Sequence, residues 1–269
     1  MNRFISAKQL KASINPSYVL IDCRAMLGNS NYGMEEYKKG HLPGAYFLSL
    51  DQDLSGPLGI HGGRHPLPDP ILFKHKLEKM GITPQSTIVL YDDSAFSYAA
   101  RAWWLIQRLG LNNIVFLNGG FAAWQAEGFP IDKREPAQRQ GFIPTHASDP
   151  LIDREFILNN IDALFLIDSR EPIRFKGEYE PIDPIAGHIP QASNYFWKDC
   201  VDENGFFKDI SYHQTRWQHL EANKTPVVYC GSGITACVNL LSLEAAGINA
   251  KLYPGSWSDW CSYLTPSSD

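Results

Sequence analysis

One cysteine sits in a setting that favours nucleophilic chemistry. Cys230 opens the run Cys230-Gly231-Ser232-Gly233-Ile234-Thr235, directly after the apolar stretch Pro226-Val227-Val228-Tyr229. A short, continuously apolar run reads as a buried strand. The cysteine then falls at the strand's carboxyl end, where open α/β sheets receive ligands. Gly231 and Gly233 allow positive φ, so successive N–H groups can curl into an anion-binding nest. A helix expected over residues 234–246 aims its positive dipole end at the same point. Each feature favours thiolate over thiol. Read in isolation, a small cysteine before a turn is equally a packing residue, and the rest of the chain must decide between the two.

The rest of the chain contains this region twice. Tyr18-Val19-Leu20-Ile21-Asp22-Cys23-Arg24 reads like Leu164-Phe165-Leu166-Ile167-Asp168-Ser169-Arg170, and His41-Leu42-Pro43-Gly44-Ala45 like His188-Ile189-Pro190-Gln191-Ala192. Thr87-Ile88-Val89-Leu90-Tyr91-Asp92 matches Thr225-Pro226-Val227-Val228-Tyr229-Cys230, and Gly119-Gly120-Phe121-Ala122-Ala123-Trp124 matches Gly255-Ser256-Trp257-Ser258-Asp259-Trp260. Four matches in the same order mark a tandem duplication. Each half alternates short apolar runs with helical stretches, 96–109 in one and 234–246 in the other, closed by Gly110 and Gly247. Such alternation predicts an α/β fold, with a parallel sheet flanked by helices in each half. The expected domains are residues 1–131 and 151–269. The polar, aperiodic stretch 132–150, with Pro136, Pro144 and Pro150, reads as the linker between them.

A duplication separates shared residues, which point to structure, from unshared ones, which point to function. Asp22/Arg24, Asp168/Arg170, His41 and His188 are shared and are expected to form ion pairs and loop hydrogen bonds at the sheet edges. The halves diverge where Asp92-Asp93-Ser94-Ala95-Phe96-Ser97 stands opposite the Cys230 loop. One copy has a nucleophile and the other does not, which favours a chemical role for Cys230.

Composition narrows the field. The chain has 269 residues and a formal net charge of −5, with 44% hydrophobic and 20% charged residues, ordinary values for one or two globular cores. A mild acidic balance disfavours a nucleic-acid surface. No apolar run approaches the roughly 18 residues of a membrane span, and residues 1–8 show no apolar export signal. Five irregularly spaced cysteines with no C-x-x-C suit free thiols in a reducing cytoplasm and give a zinc site no support.

Taken together, the Cys230–Ala236 loop, Gly187-His188-Ile189-Pro190, the 255–260 motif, and Asp168-Ser169-Arg170 with Arg174-Phe175 resemble the two-domain rhodanese-like sulfurtransferases, over nearly the whole chain. The resemblance implies two tandem rhodanese-like domains, the first catalytically silent. It also divides on the loop. Thiosulfate-type members resemble Cys-Arg-Lys-Gly-Val-Thr and mercaptopyruvate-type members Cys-Gly-Ser-Gly-Val-Thr, so this loop is similar to the second kind. The implied reaction passes sulfur from 3-mercaptopyruvate through a Cys230 persulfide to cyanide, a small thiol or a thioredoxin-like dithiol, with neither metal nor organic cofactor. Arg174 matches the arginine that grips the donor carboxylate; its alternative is a surface ion pair with Glu171 or Glu178. A second carboxylate-binding arginine of some members is absent, since the corresponding region reads Glu180-Pro181-Ile182-Asp183. Gly231, Gly233, Ile234 and Thr235 complete the substrate loop. The resemblance further implies a relay of Ser232, His65 and Asp51 beside the cysteine, with Asp53 as the alternative acid.

Three other readings compete: a thiosulfate donor, a non-enzymatic sulfur carrier, and a loop-cysteine phosphatase. The phosphatase needs an arginine closing the loop to clamp phosphate oxygens, and no Arg or Lys follows Cys230 before Lys251. Cys237, two helical turns beyond Cys230, reads as packed; Cys23, Cys200 and Cys261 lack chemical context.

Overall fold

The apolar runs become parallel strands. In the computed structural model, which describes residues 3–146 and 149–264, the chain divides into two units, one built mainly from each half. The N-terminal unit runs β1 (Phe4–Ile5), α1 (Ala7–Ser13), β2 (Tyr18–Asp22), α2 (Tyr32–Lys39), β3 (Tyr46–Phe47), α3 (Pro70–Glu78), β4 (Thr87–Tyr91), α4 (Ser97–Gln107), β5 (Ile114–Leu117) and α5 (Gly120–Ala126). Its five strands are all parallel, in the order β1-β5-β4-β2-β3. The C-terminal unit contains α6 (Arg154–Asn160), β6 (Leu164–Asp168), α7 (Pro172–Phe175), β7 (Ser193–Asn194), α8 (Ile210–Trp217), β8 (Thr225–Tyr229), α9 (Ala236–Ala245), β9 (Lys251–Leu252) and α10 (Ser256–Ser262). Its parallel order is β7-β6-β8-β9.

The duplication persists in register. Tyr18 to Asp22 pair with Thr87 to Tyr91, and Leu164 to Asp168 pair with Thr225 to Tyr229. The central strands are buried on both faces, which is why they read as continuous apolar runs. Tyr91 and Tyr229, both fully buried, each accept a backbone N–H with the phenol oxygen, from Leu42 and Ile189. Local signals start several helices: Ser6 and Gln9 form a capping box for α1, and Asp69, Asp153 and Asp209 cap α3, α6 and α8.

The shared polar residues are structural. Asp22–Arg24 and Asp168–Arg170 are buried ion pairs, each 2.6 Å at its shortest, and each arginine also donates to a loop carbonyl, Gly40 or Gly187. The Arg24 and Arg170 guanidinium groups lie over the rings of Phe121 and Trp257. His41 and His188 bond the carbonyls of Tyr37 and Phe175 and stack on the same residues' rings.

Unit boundaries differ from the expected ones in two respects. Of the expected linker, residues 132–146 and 149 belong to the N-terminal unit. Asp132 and His41 exchange backbone hydrogen bonds, and the side chain of Ile143 is fully buried while its N–H donates to Glu78. A single apolar anchor in a polar stretch gives too weak a periodic signal to register. The halves also trade segments: Pro57–Leu67 belongs to the C-terminal unit and Val201–Phe207 to the N-terminal one.

Candidate active site

Cys230 stands at the carboxyl end of β8, 2% exposed, and the start of α10 holds it there. The Cys230 N–H donates to Ser256 Oγ at 3.1 Å, the Cys230 carbonyl accepts from Trp257 N–H at 3.0 Å, and the Gly231 carbonyl accepts from Ser258 N–H at 2.8 Å. The 255–260 motif is thus the clamp that sets the loop. Within the loop the two glycines have different jobs. Gly233 is left-handed at φ +76°, and a Cβ there would meet the Pro254 carbonyl oxygen at 2.2 Å. Gly231 is not left-handed, so its expected positive φ is corrected. It is small because a Cβ would stand 2.9 Å from Arg64 Nη2 and 3.6 Å from Arg174 Nη2. Ile234 is buried, and Thr235 precedes α9 without capping it by its side chain.

The segment carrying Arg64 and His65 lies within the same unit as Cys230. Asp259 accepts the Gly62 N–H at 2.6 Å, Ser258 Oγ accepts the Arg64 N–H at 3.1 Å, and His61 stacks on Tyr263. Asp259 is itself held by the Tyr253 hydroxyl. Gly63, at φ +76°, allows close approach, since a Cβ would lie 2.5 Å from the Gly255 carbonyl. Strapped in this way, His65 places Nδ1 2.8 Å from Ser232 Oγ. These two residues, 167 positions apart, are brought together beside the cysteine loop.

A buried ionic network forms the other wall. Arg174 donates through Nε and Nη2 to Glu180, at 2.7 Å for the shortest contact, and through Nη2 to Asp183 at 3.1 Å. Arg170 reaches Glu180 at 3.2 Å, and Asp183 also pairs with Arg64. The Glu180 and Asp183 side chains are 2% and 1% exposed. Arg174 is therefore not tied to Glu171 or Glu178. The region that lacks the second arginine supplies instead the carboxylates that fix the first. Burial lowers the Arg64 guanidinium from the ordinary arginine value, and the Arg174 charge acts in the same direction against the opposing charges of Cys230 and Glu180.

Comparison with known proteins identifies the family. The model of the rhodanese-like domain matches twice, over residues 6–127 and 154–263. The chain belongs to the rhodanese family. It is 41% identical to a Pseudomonas aeruginosa protein named "Probable 3-mercaptopyruvate sulfurtransferase", over 96% of this chain and 94% of that one. It is 28% identical to the thiosulfate sulfurtransferase of Gallus gallus, over 95% and 92%. Among solved structures, the 3-mercaptopyruvate sulfotransferase SseA from Escherichia coli superposes with a TM-score of 0.82 at 28% identity, covering 96% of this chain and all of that one.

The first rhodanese-like domain shows what its loop became. Asp92 occupies the position of Cys230, and its carboxylate accepts four backbone N–H groups at 3.0 Å, those of Ser94, Phe96, Tyr98 and Ala99. A rhodanese loop in this half thus closes around its own anion. Burial pushes the Asp92 carboxyl up to about 6 against those donors, which leaves it ionised at neutral pH.

Asp51 and Asp53 belong to the N-terminal unit. Asp51 is exposed in a turn, whereas Asp53 accepts the Ser49 N–H at 2.8 Å and pairs with Lys76. All five cysteines are free thiols and buried. Cys237 Sγ lies 3.4 Å from the Gly233 carbonyl and Cys200 Sγ 3.2 Å from Asn239 Oδ1, contacts that suit packing. Among the described residues, no group of His, Cys, Asp and Glu is arranged to hold a metal ion, and no helix is long and apolar enough to cross a membrane. Arg64, Glu180, Asp183, Ser258 and Asp259 join the site without having stood out in the sequence. For Arg64 the available signal was its place beside His65.

Proposed function

We propose that this protein is a 3-mercaptopyruvate-type sulfurtransferase, with thiosulfate as the competing donor. The observation that carries the reading is the Ser232–His65 hydrogen bond beside Cys230, on a loop faced by Arg64 and Arg174. The names of the relatives support it. In the first half-reaction the Cys230 thiolate attacks the donor sulfur, and a sulfur–sulfur bond forms as the carbon–sulfur bond breaks. The electron pair leaves on the three-carbon fragment as the enolate of pyruvate. The proton from the donor thiol is passed to that carbon by His65 with Ser232, a general acid–base contribution on the order of 10²–10⁴-fold. Pyruvate departs and Cys230 retains a persulfide, stabilised by the loop N–H groups and the start of α9.

In the second half-reaction a nucleophile takes the outer sulfur and regenerates the thiolate. Cyanide becomes thiocyanate, while a thiol or a thioredoxin-like dithiol becomes a persulfide. The whole is ping-pong covalent catalysis. Five unpaired thiols support a reducing, cytoplasmic setting. The test is steady-state sulfur transfer to cyanide from 3-mercaptopyruvate and from thiosulfate, with Cys230→Ser as comparator. A preference for mercaptopyruvate, stoichiometric pyruvate and an inactive variant are expected. A thiosulfate preference would overturn the donor, and activity in the variant would overturn the mechanism.

A further inference from the structure

We propose that Arg64 is a substrate-binding residue, which completes with Arg174 a two-arginine clamp for the donor carboxylate. The inference rests on the mercaptopyruvate reading and deepens it. A guanidinium has five N–H donors in a fixed plane. In Arg174, Nε and Nη2 are committed to Glu180 and Asp183. Its hydrogen bonds among the described residues leave Nη1 available, on the side of Gly231. One nitrogen cannot engage both oxygens of a carboxylate in the parallel, two-bond geometry that makes such pairs strong. The other donor nitrogen is in place: Arg64 Nη2 is the atom closest to the position of a Gly231 Cβ, at 2.9 Å, with Arg174 Nη1 at 3.7 Å from the same point. Both guanidinium groups are bound to one buried carboxylate, Asp183, by opposite oxygens. Asp183 therefore sets their spacing, and the missing downstream arginine is replaced from a distant segment.

The same network argues for the charge of the ligand. Arg64, Arg170 and Arg174 are matched by Asp168, Glu180 and Asp183, so the wall is close to neutral before a donor binds. Arg64, with its side chain 31% exposed against 13% for Arg174, is the more open face. A neutral, partly open wall with two neighbouring donors suits a singly charged carboxylate better than a dianion, whose second charge would find no surplus cation.

Arg64→Ala and Arg64→Lys test this with two donors: 3-mercaptopyruvate, and the carboxylate-free α-mercapto ketone 1-mercapto-2-propanone. A lost charge-assisted bond predicts a KM for mercaptopyruvate raised roughly 10- to 100-fold in Arg64→Ala, with kcat changed far less. The inhibition constant for pyruvate should rise in parallel, while the KM for the ketone stays within about twofold. Arg64→Lys, which keeps a cation on Asp183, should recover only part of the loss, since an ammonium lacks the planar fork. Equal damage with both donors, or an unmoved pyruvate constant in a folded variant, would overturn the clamp while leaving the activity assignment standing. Wild-type protein that turns over thiosulfate and no mercaptopyruvate would overturn the activity assignment and the clamp together.

Discussion

The two loop glycines should fail in different ways when a methyl group is added. At Gly231 an alanine meets no backbone strain, and its Cβ would lie 2.9 Å from the end of the Arg64 side chain. A comfortable contact is near 3.5 Å, so the guanidinium must retreat by about half an ångström. A long side chain can do that cheaply, and stability should change by about 0.5 kcal/mol or less. The donor clamp should loosen, with the KM for mercaptopyruvate rising roughly 3- to 10-fold, because small displacements at a binding site are costly. At Gly233 an alanine must adopt φ +76° and would overlap the Pro254 carbonyl at 2.2 Å. The left-handed conformation alone costs about 1–2 kcal/mol. With the backbone overlap, the melting midpoint should fall by roughly 5–10 °C. Scanning calorimetry and steady-state kinetics on both variants separate the effects. Equal thermal losses, or a Gly231→Ala enzyme with an unaltered KM, would refute the division of labour.

Two further outcomes follow from buried titratable groups. Asp92→Asn puts an amide opposite two of the four N–H groups that the carboxylate now accepts. Denaturant unfolding should show a loss of about 2–4 kcal/mol, with the KM for mercaptopyruvate unchanged; a neutral substitution would contradict the anion-filled loop. His213 is fully buried, 2.7 Å from Ser242 Oγ, and burial lowers its pKa to about 4. The unfolded chain then binds the extra proton first, so stability is intact above about 6.5 and is lost as pH falls towards 4, by about 2–3 kcal/mol. Chemical denaturation across that window, wild type minus His213→Gln, should show this slope; its absence would remove His213 as the acid-sensitive group.

Much of the fold was legible because the buried strands of a parallel sheet are continuously apolar and occur twice. Cys230, Ser232 and Arg174 are the positions that local motifs single out. What escaped depends on long-range contacts. Arg64 meets Asp183 across more than a hundred residues, and nothing in its neighbourhood announces a partner. Glu180 and Asp183 looked like the loss of an arginine, whereas in space they anchor the one that remains. Gly231 and Gly233 are indistinguishable as letters, and only coordinates separate a glycine kept for its backbone angle from one kept for its missing methyl group. The 132–150 stretch, expected as a linker, is tied through residues 132–143 to the N-terminal unit by bridges and one buried isoleucine that polarity conceals.

The exchange of segments between the units bears on how the duplication aged. Copies made in tandem begin as interchangeable modules, free to be deleted, shuffled or fused elsewhere. Once the first copy came to hold the stretch bearing Arg64 and His65, and the second the stretch 201–207, neither could be cut out along the line of the original repeat. A gene fragment encoding only residues 151–269 keeps the cysteine and loses the strap. The first half is thus bound to the second by architecture as well as ancestry, because its stretch of sequence houses part of the second unit.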